Sequence, residues 1–393
     1  MLYKDYTEEL LGLKDVTVTN IINIEGHMHI YLDCKLQPQV CPHCRFATKR
    51  VHSYRNQIVA DVHFAGLNGI LHIRRRRYLC TFCNKTFYEK LAFLKRYQRH
   101  TQRLMCKVIN DFRAEYSIKR IAQMNNISPG IAIRIFDRVS YARPNLPRVL
   151  AIDEFKGNAG RKFQCILTDP KNHKVLDILP TKKSEDIRAY FGAFPMKQRR
   201  KVKYLVMDMS LQFRDIMLSC FPNAQIITDK FHVCRYAIWA MEKVRKEVQK
   251  NLKAEDRKWF KRSRWLTNCH SYNLKDEDIN DLSNMLSYSE NLRTAYCLKE
   301  AFFRFMNSSD MEAAKKNLKY FQLITHITNI PEFVKLYEMV KRWEQYILRA
   351  FSMNYSNGYT EGCNNKIKVL KRNAYGVKNF KRFRNRILHM MAA

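Results

Sequence analysis

The sequence predicts a mixed α/β chain built from several modules, and three observations predict it. Apolar runs of strand length, Val149-Leu150-Ala151-Ile152-Asp153, Tyr204-Leu205-Val206-Met207-Asp208 and Gln225-Ile226-Ile227-Thr228-Asp229, each end in an acid. Two Cys-x-x-Cys turns and a helical hairpin pattern precede them, and a long helical, charged and aromatic segment follows from about Tyr236 to Phe351. The composition suits folded modules: 393 residues at 46% hydrophobic and 12% aromatic can bury substantial cores, and the length suits two to four domains. The 71 Lys and Arg against 36 Asp and Glu give a formal charge of +35, of which +13 falls in residues 1–147 and +22 in the rest. That excess excludes an ordinary metabolic enzyme as the default. Its spread points to a long polyanion touched by several modules. No stretch approaches the ~18 apolar residues of a membrane span, and the N-terminus lacks the layout of a signal peptide, so an intracellular chain without a membrane is expected.

Residues 1–36 read as a leader, and residues 37–92 as the first module. Eight of the 12 cysteines are scattered and read as small buried residues. The other four form Cys41-Pro-His-Cys44 and Cys80-Thr-Phe-Cys83. Each Cys-x-x-Cys turn offers two thiolates to one ion, and two such turns complete a tetrahedral four-sulfur zinc site. Strand-like pieces at 57–62 and 70–73 lie between them, the pattern of a zinc ribbon whose knuckles sit at hairpin tips. His43 or His52 in place of one sulfur, and two unrelated pairs of core cysteines, are the alternatives. A closed four-sulfur site would hold structure and do no chemistry.

Within the ribbon stands Arg74-Arg75-Arg76-Arg77. Strand alternation puts at least two of these arginines on the solvent face; an edge strand contacting phosphate and a merely solvated basic edge are the two readings. Residues 93–147 form the next module, helical over 97–140 with a break at Asn125-Asn126-Ile127-Ser128-Pro129. Ser128 is placed to cap a second helix with Pro129 in its first turn. The helix–turn–helix layout suits DNA reading, with Arg134 and Arg138 one turn apart and able to reach a major groove; a structural connector would look similar.

Arg143-Pro144-Asn145-Leu146-Pro147 breaks helix and strand alike and marks a linker. The three acid-tipped runs beyond it suit strands buried on both faces of a mostly parallel sheet, where ligands bind beyond the carboxyl ends. Residues 162–168 and 175–179, joined by a turn at 169–172, make a hairpin beside the first run, and a helix starts near Ser184. Three antiparallel strands, a helix, a parallel strand, a helix and another parallel strand are the order of an RNase H-like core. One strand-end Asp is commonly a turn former or a helix cap. Several together repel unless a cation lies between them, and hard carboxylate oxygens suit Mg²⁺.

The first part of that core covers 148–235, an all-helical insertion 236–350, and a returning C-terminal part 351–393. Trp239, Trp259, Trp265 and Trp343 read as core anchors, with the basic-aromatic cluster 258–265 as the exception suited to nucleic acid. From Tyr359 to Ala393 nine Lys and Arg accompany one acid, Glu361. On a helix starting near Thr360, Glu361, Asn365, Lys368 and Arg372 share one face, opposite Cys363, Ile367, Leu370 and Ala374. That places a carboxylate ahead of donors for phosphate or base edges; an acid favoured by the helix N-terminus is the bland reading.

At these residues the sequence resembles the bacterial insertion-sequence transposases of the ISL-three family. The resemblance is carried by 151–155 (AIDEF), 208–210 (DMS), 228–233 (TDKFHV) and above all 356–368 (SNGYTEGCNNKIK). It implies that Asp153, Asp208 and Glu361 are the catalytic triad of a DDE recombinase, and that Asp229 and His232 support it. Two Mg²⁺ ions, replaceable by Mn²⁺, are implied, with Asp153 bridging both, Asp208 on one and Glu361 on the other, for in-line attack by water and then by a DNA 3′-hydroxyl. Double-stranded DNA, as terminal repeats and target, a homodimer or higher assembly on it, and a DNA-associated life in the bacterial cytoplasm are implied as well. Leu211 departs from the pattern, standing where a helix-starting proline is expected. A structure-selective nuclease would use the same acids without joining ends, and a DNA-binding regulator would need neither acids nor Mg²⁺.

Overall fold

The computed structural model describes residues 11–95, 97–157, 163–260, 263–353, 355–374 and 376–392. The start of the leader, Lys162, and Lys261 and Arg262 of the basic-aromatic cluster lie outside them. The chain forms two compact units, one of Met1–Ala142 with Ile367–Ala393 and one of Arg143–Lys366. No described helix is long and apolar enough to cross a membrane.

In the first unit, β1 (Val16–Ile24), β2 (His27–Cys34), β5 (Val51–Phe64), β6 (Leu67–Leu79) and β7 (Thr86–Tyr88) share a sheet in the order β1-β2-β6-β5, with β7 on the end of β6. Residues 16–34, to which sequence reading gave no element, thus supply two of its strands. Glu25-Gly26 and Ala65-Gly66, all at positive φ, make the two-residue turns that suit the right-handed twist of hairpins. Alternate residues Ile30, Leu32, Val59, Leu71 and Ile73 fill the buried face. β3 (Gln39–Val40) and β4 (Ala47–Thr48) form a separate small hairpin.

The tetra-arginine segment is not on an edge: β5 pairs all four arginines on one side, and on the other β2 pairs Arg74 and β7 pairs Arg77. Arg75 donates to Gln57 Oε1 at 3.0 Å and to the Glu89 carbonyl at 2.7 Å. Arg76 donates to the Cys34 carbonyl and lies 3.6 Å from the buried Glu89 carboxylate. These two arginines hold the ribbon together. Arg74 is exposed, lying over the Tyr54 ring and 3.7 Å from Asp33.

Three helices follow, Gln102–Asp111, Ile118–Met124 and Pro129–Phe136, each capped by the hydroxyl before it: Thr101, Ser117 and Ser128. Ser128 and Pro129 act as their sequence implies. Arg134 is exposed on the third helix, whereas Arg138 lies just past its end. The C-terminal helix Phe380–Met391 packs on this hairpin: Asn385 Nδ2 donates to the Val139 carbonyl at 2.7 Å, and the buried Arg386 donates to the carbonyls of Ala114 and Tyr116.

The second unit contains a five-stranded sheet in the order β10 (Lys174–Leu179), β9 (Phe163–Asp169), β8 (Val149–Lys156), β11 (Tyr204–Met207), β12 (Gln225–Thr228). The pairs β10–β9 and β9–β8 are antiparallel, and β8–β11 and β11–β12 are parallel. This is the RNase H-like order that the sequence implies. Helices Ser184–Gly192 and Leu211–Cys220 cover it through Ile187, Phe191, Phe213 and Met217. Leu211 does begin its helix without a proline, because Ser210 Oγ accepts from the Phe213 N–H.

The helical insertion has its own core, centred on Phe302, Phe305, Phe321, Phe333 and Trp343 and formed with helix Lys230–Asn251. The expectation for the tryptophans holds at Trp343 and fails at Trp239, which is 48% exposed; Trp265, in the cluster set apart from that expectation, is 47% exposed. Both lie outside the buried faces of their helices.

Candidate active site

Register brings the acids together. Val206 pairs with Ala151, so Asp208 and Asp153 both stand two residues beyond that rung. Met207 pairs with Thr228, so Asp208 and Asp229 both stand one residue beyond theirs. Three aspartates therefore lie side by side on neighbouring parallel strands, Asp208 and Asp229 just past the carboxyl ends of theirs and Asp153 three residues before the end of β8, which continues beyond the acid where the sequence implies a strand end; the carboxyl side is where α/β sheets bind ligands.

Asp153 is buried within β8. Its Oδ1 accepts from the Glu154 N–H and its Oδ2 from Asn364 Nδ2, each at 2.7 Å. Burial, and then the negative charge of Asp208, push its pKa up to about 7, against the opposing pull of the Glu154 N–H and His232. His232 Nδ1 lies 2.9 Å from Asp208 Oδ1 and 3.0 Å from Asp229 Oδ2. Burial alone would lower the imidazole's pKa, but the two carboxylates outweigh it and raise it to about 10. His232 is thus a cation at neutral pH. Its Nδ1–H is aligned with Asp229, and Asp208 Oδ1 is left buried with no hydrogen bond of its own.

Glu361 lies in the first turn of helix Gly358–Asn373. That helix is latched to the sheet by Asn364 on Asp153 and by a 2.7 Å hydrogen bond between Thr360 and Thr168. Glu361 is half-buried, while Asn365, Lys368 and Arg372 are exposed, on the face the helical spacing implies. Sequence reading passed over Asn364. It stands beside Asn365 and one turn beyond Glu361, but on the face shared with Thr360 and Ile367, so helical periodicity marked it as buried and only a buried amide without an apolar role could have flagged it.

The residues fit a divalent cation: an orphaned buried carboxylate oxygen, a second carboxylate held above its usual range, and a donor set of hard oxygens. Asp208, Asp229 and His232 bring possible ligand atoms within 4.8 Å of one another, a group that includes neither Asp153 nor Glu361 and in which the imidazole could ligate only after losing its proton.

The second metal-capable group is the four cysteines, whose sulfurs also lie within 4.8 Å of one another. The knuckles repeat one geometry: the Arg45 N–H donates to the Cys41 carbonyl and the Asn84 N–H to the Cys80 carbonyl, both at 3.0 Å, and Arg45 and Asn84 both take positive φ. Each knuckle sits at a hairpin tip, between β3 and β4 and between β6 and β7. The N–H groups of Cys83 and then Phe82 draw the Cys80 thiol down to about 6, into the range where a thiolate binds metal. Neither His43 nor His52 belongs to the group. The four sulfurs suit a structural zinc ion.

Comparison with known proteins gives the family. The family model for ISL3 DDE transposases, described as "Transposase", matches residues 150–387. The chain belongs to this family. A second model, the zinc-finger of transposases of the IS204/IS1001/IS1096/IS1165 type, matches residues 37–83. The transposase for insertion sequence element IS1001 of Bordetella parapertussis is 26% identical over 361 residues, 90% of this chain and 88% of that one. The transposase for IS1557 of Mycobacterium tuberculosis is 23% identical over 258 residues, 60% of this chain and 58% of that one. A protein of Lactococcus lactis named ATP-dependent protease is 34% identical over 116 residues, but these are 29% of this chain and 35% of that one, too little to carry an activity. As an ISL3 transposase, the chain is an enzyme of DNA recombination.

Proposed function

We propose that this transposase binds the terminal inverted repeats of its insertion sequence and cuts and joins DNA strands by divalent-metal phosphoryl transfer, with Asp153, Asp208 and Glu361 as the catalytic triad. The observation that carries the reading is the register that sets Asp153 level with Asp208 on neighbouring parallel strands, with the helix that carries Glu361 latched to Asp153 through Asn364. Two Mg²⁺ ions, or Mn²⁺, held by the three carboxylates would polarise the phosphoryl group and activate water or a 3′-hydroxyl. The chain's own part is to hold those carboxylates at fixed positions, to balance Asp208 and Asp229 with the His232 imidazolium, and to orient Asp153.

The zinc ribbon, 37–92, and the helix-turn-helix, 93–147, would hold the repeats. Arg74, Arg77, Arg134, Arg138, Asn365, Lys368 and Arg372 are the assigned DNA contacts; Arg75 and Arg76 join that set only through their place in the ribbon. The core would comprise 148–235 and 351–393, with 236–350 inserted. Two copies or more on DNA, in the bacterial cytoplasm, complete the reading.

The experiment uses a labelled duplex carrying the DNA that flanks the coding region. The full chain should nick it with Mg²⁺ and join its 3′-end to a second duplex. D153A should bind it and do neither; nicking by D153A would overturn the assignment. Nicking without joining would make the enzyme a structure-selective nuclease.

A further inference from the structure

The solvent face of helix Lys230–Asn251 changes character along its length. Its exposed residues are Phe231, Arg235, Tyr236 and Trp239 toward the start and Lys243, Lys246, Glu247 and Lys250 beyond. The opposite face, Val233, Ala237, Met241 and Val244, is buried in the helical core. The rings are grouped: Tyr236 meets Trp239 edge-on with centroids 5.1 Å apart, and the Arg235 guanidinium lies 5.0 Å from the centre of the Trp239 ring. Phe231 is 52% exposed and Trp239 48%. A tryptophan and a phenylalanine kept half in water beside a well-filled core mark a binding surface.

The helix also begins at the acids. Asp229 is its N-cap residue, and His232 in its first turn touches Asp208 and Asp229. At 1.5 Å per residue, Trp239 lies about 10 Å along the axis from His232 and Lys250 about 27 Å. Rings thus stand nearest the acids and lysines farther off. A protein partner would be met by apolar groups along the whole stripe; a nucleic acid strand meets rings where bases are unstacked and ammonium groups where its backbone runs on.

We propose that Trp239, with Phe231, Tyr236 and Arg235, is a stacking platform for unpaired DNA bases beside the phosphate at the acid cluster, and that Lys243, Lys246 and Lys250 follow the backbone away from it. The proposal rests on reading those acids as the DNA-cutting centre. Stacking on the ring repays part of the cost of opening the end of the duplex, which positions its phosphate for attack.

The test uses the full-length protein with Ca²⁺ in place of Mg²⁺. The probes are a single-stranded oligothymidine with one central 2-aminopurine and the same sequence as a duplex. The wild type should quench the 2-aminopurine on binding the single strand. W239A should lose most of the quenching and bind the single strand on the order of ten- to a hundredfold more weakly, with duplex affinity unchanged, and W239F should retain most of both. Equal quenching and affinity in W239A would overturn the platform, as would an equal loss for single strand and duplex, or a change in oligomeric state with quenching intact. D153A should quench like the wild type. The two readings fail separately: nicking by D153A overturns the acid assignment, whereas unchanged quenching by W239A overturns the platform whatever D153A does.

Discussion

Asn364 Nδ2 donates to Asp153 Oδ2 at 2.7 Å across 211 residues of sequence. The bond joins helix Gly358–Asn373, which carries Glu361, to the central strand that carries Asp153, and its donor amide is buried. On the function proposed above, an amide in this position would fix which carboxylate oxygen faces a bound cation. Groups that orient metal ligands from outside typically contribute 10- to 100-fold to affinity or activity.

N364A should therefore raise the Mg²⁺ concentration needed for half-maximal strand cleavage by about tenfold or more, with far-UV circular dichroism unchanged. N364D places a carboxylate against Asp153 and should be worse than N364A. A Mg²⁺ titration of cleavage checks both.

Without a divalent cation, stability should fall as pH rises. The Asp153 carboxyl goes from 3.8 unfolded to about 7 folded, so between those values the folded state keeps a proton that the unfolded state has lost, and stability declines until it levels off near 7. His232 goes from 6.5 to about 10, so its contribution is full below 6.5 and is lost as pH rises through about 10. A cation takes the place of the Asp153 proton. Its affinity should accordingly rise about tenfold per pH unit up to about 7 and then flatten. Melting temperatures from pH 5 to 8, with and without Mg²⁺, check the sign.

Removal of the imidazolium leaves Asp208 and Asp229 facing each other. H232A should melt well below the wild type in EDTA, and added Mn²⁺ should close much of the gap, because the ion supplies the missing positive charge. A variant that stays equally destabilised in saturating Mn²⁺ would show that the imidazole acts by packing alone.

The four cysteines predict one tightly bound zinc ion per chain. C44S and C80S should each lose it by elemental analysis, and a strong chelator should lower the melting temperature of the wild type but not of those variants.

Asp61 provides a control away from the acid cluster and the four cysteines. It is buried in β5 and accepts from Thr101 Oγ1 at 2.5 Å and from the Arg103 guanidinium, which ties the ribbon sheet to the start of helix Gln102–Asp111. D61A leaves Arg103 and the hydroxyl without their partner and should cost about 3–5 kcal/mol in chemical denaturation, with zinc content unchanged.

The strands of the core were legible because each is a continuous apolar run, as burial on both faces demands, and because the acids fall where the apolar run ends. The knuckles were legible because two thiolates must come from one turn. Within 16–34, β2 carries a strand signal that sequence reading passed over, Met28, Ile30, Leu32 and Cys34 standing at alternate positions, whereas β1 is largely exposed. The place of Arg74–Arg77 was not legible, since an interior strand and an edge strand present the same four letters and differ only in what pairs alongside them.

The sequence by itself determined which residue types could hold metal and where helices start, because turns, caps and periodicity are local properties of the chain. Only the tertiary structure decided which acids meet, which arginines are committed to the ribbon, that Asn364 and not Asn365 reaches Asp153, and that Trp239 faces water. Each of these depends on a neighbour far away in sequence. Register across the sheet and the packing of one helix on it set those neighbours, and no local pattern encodes them.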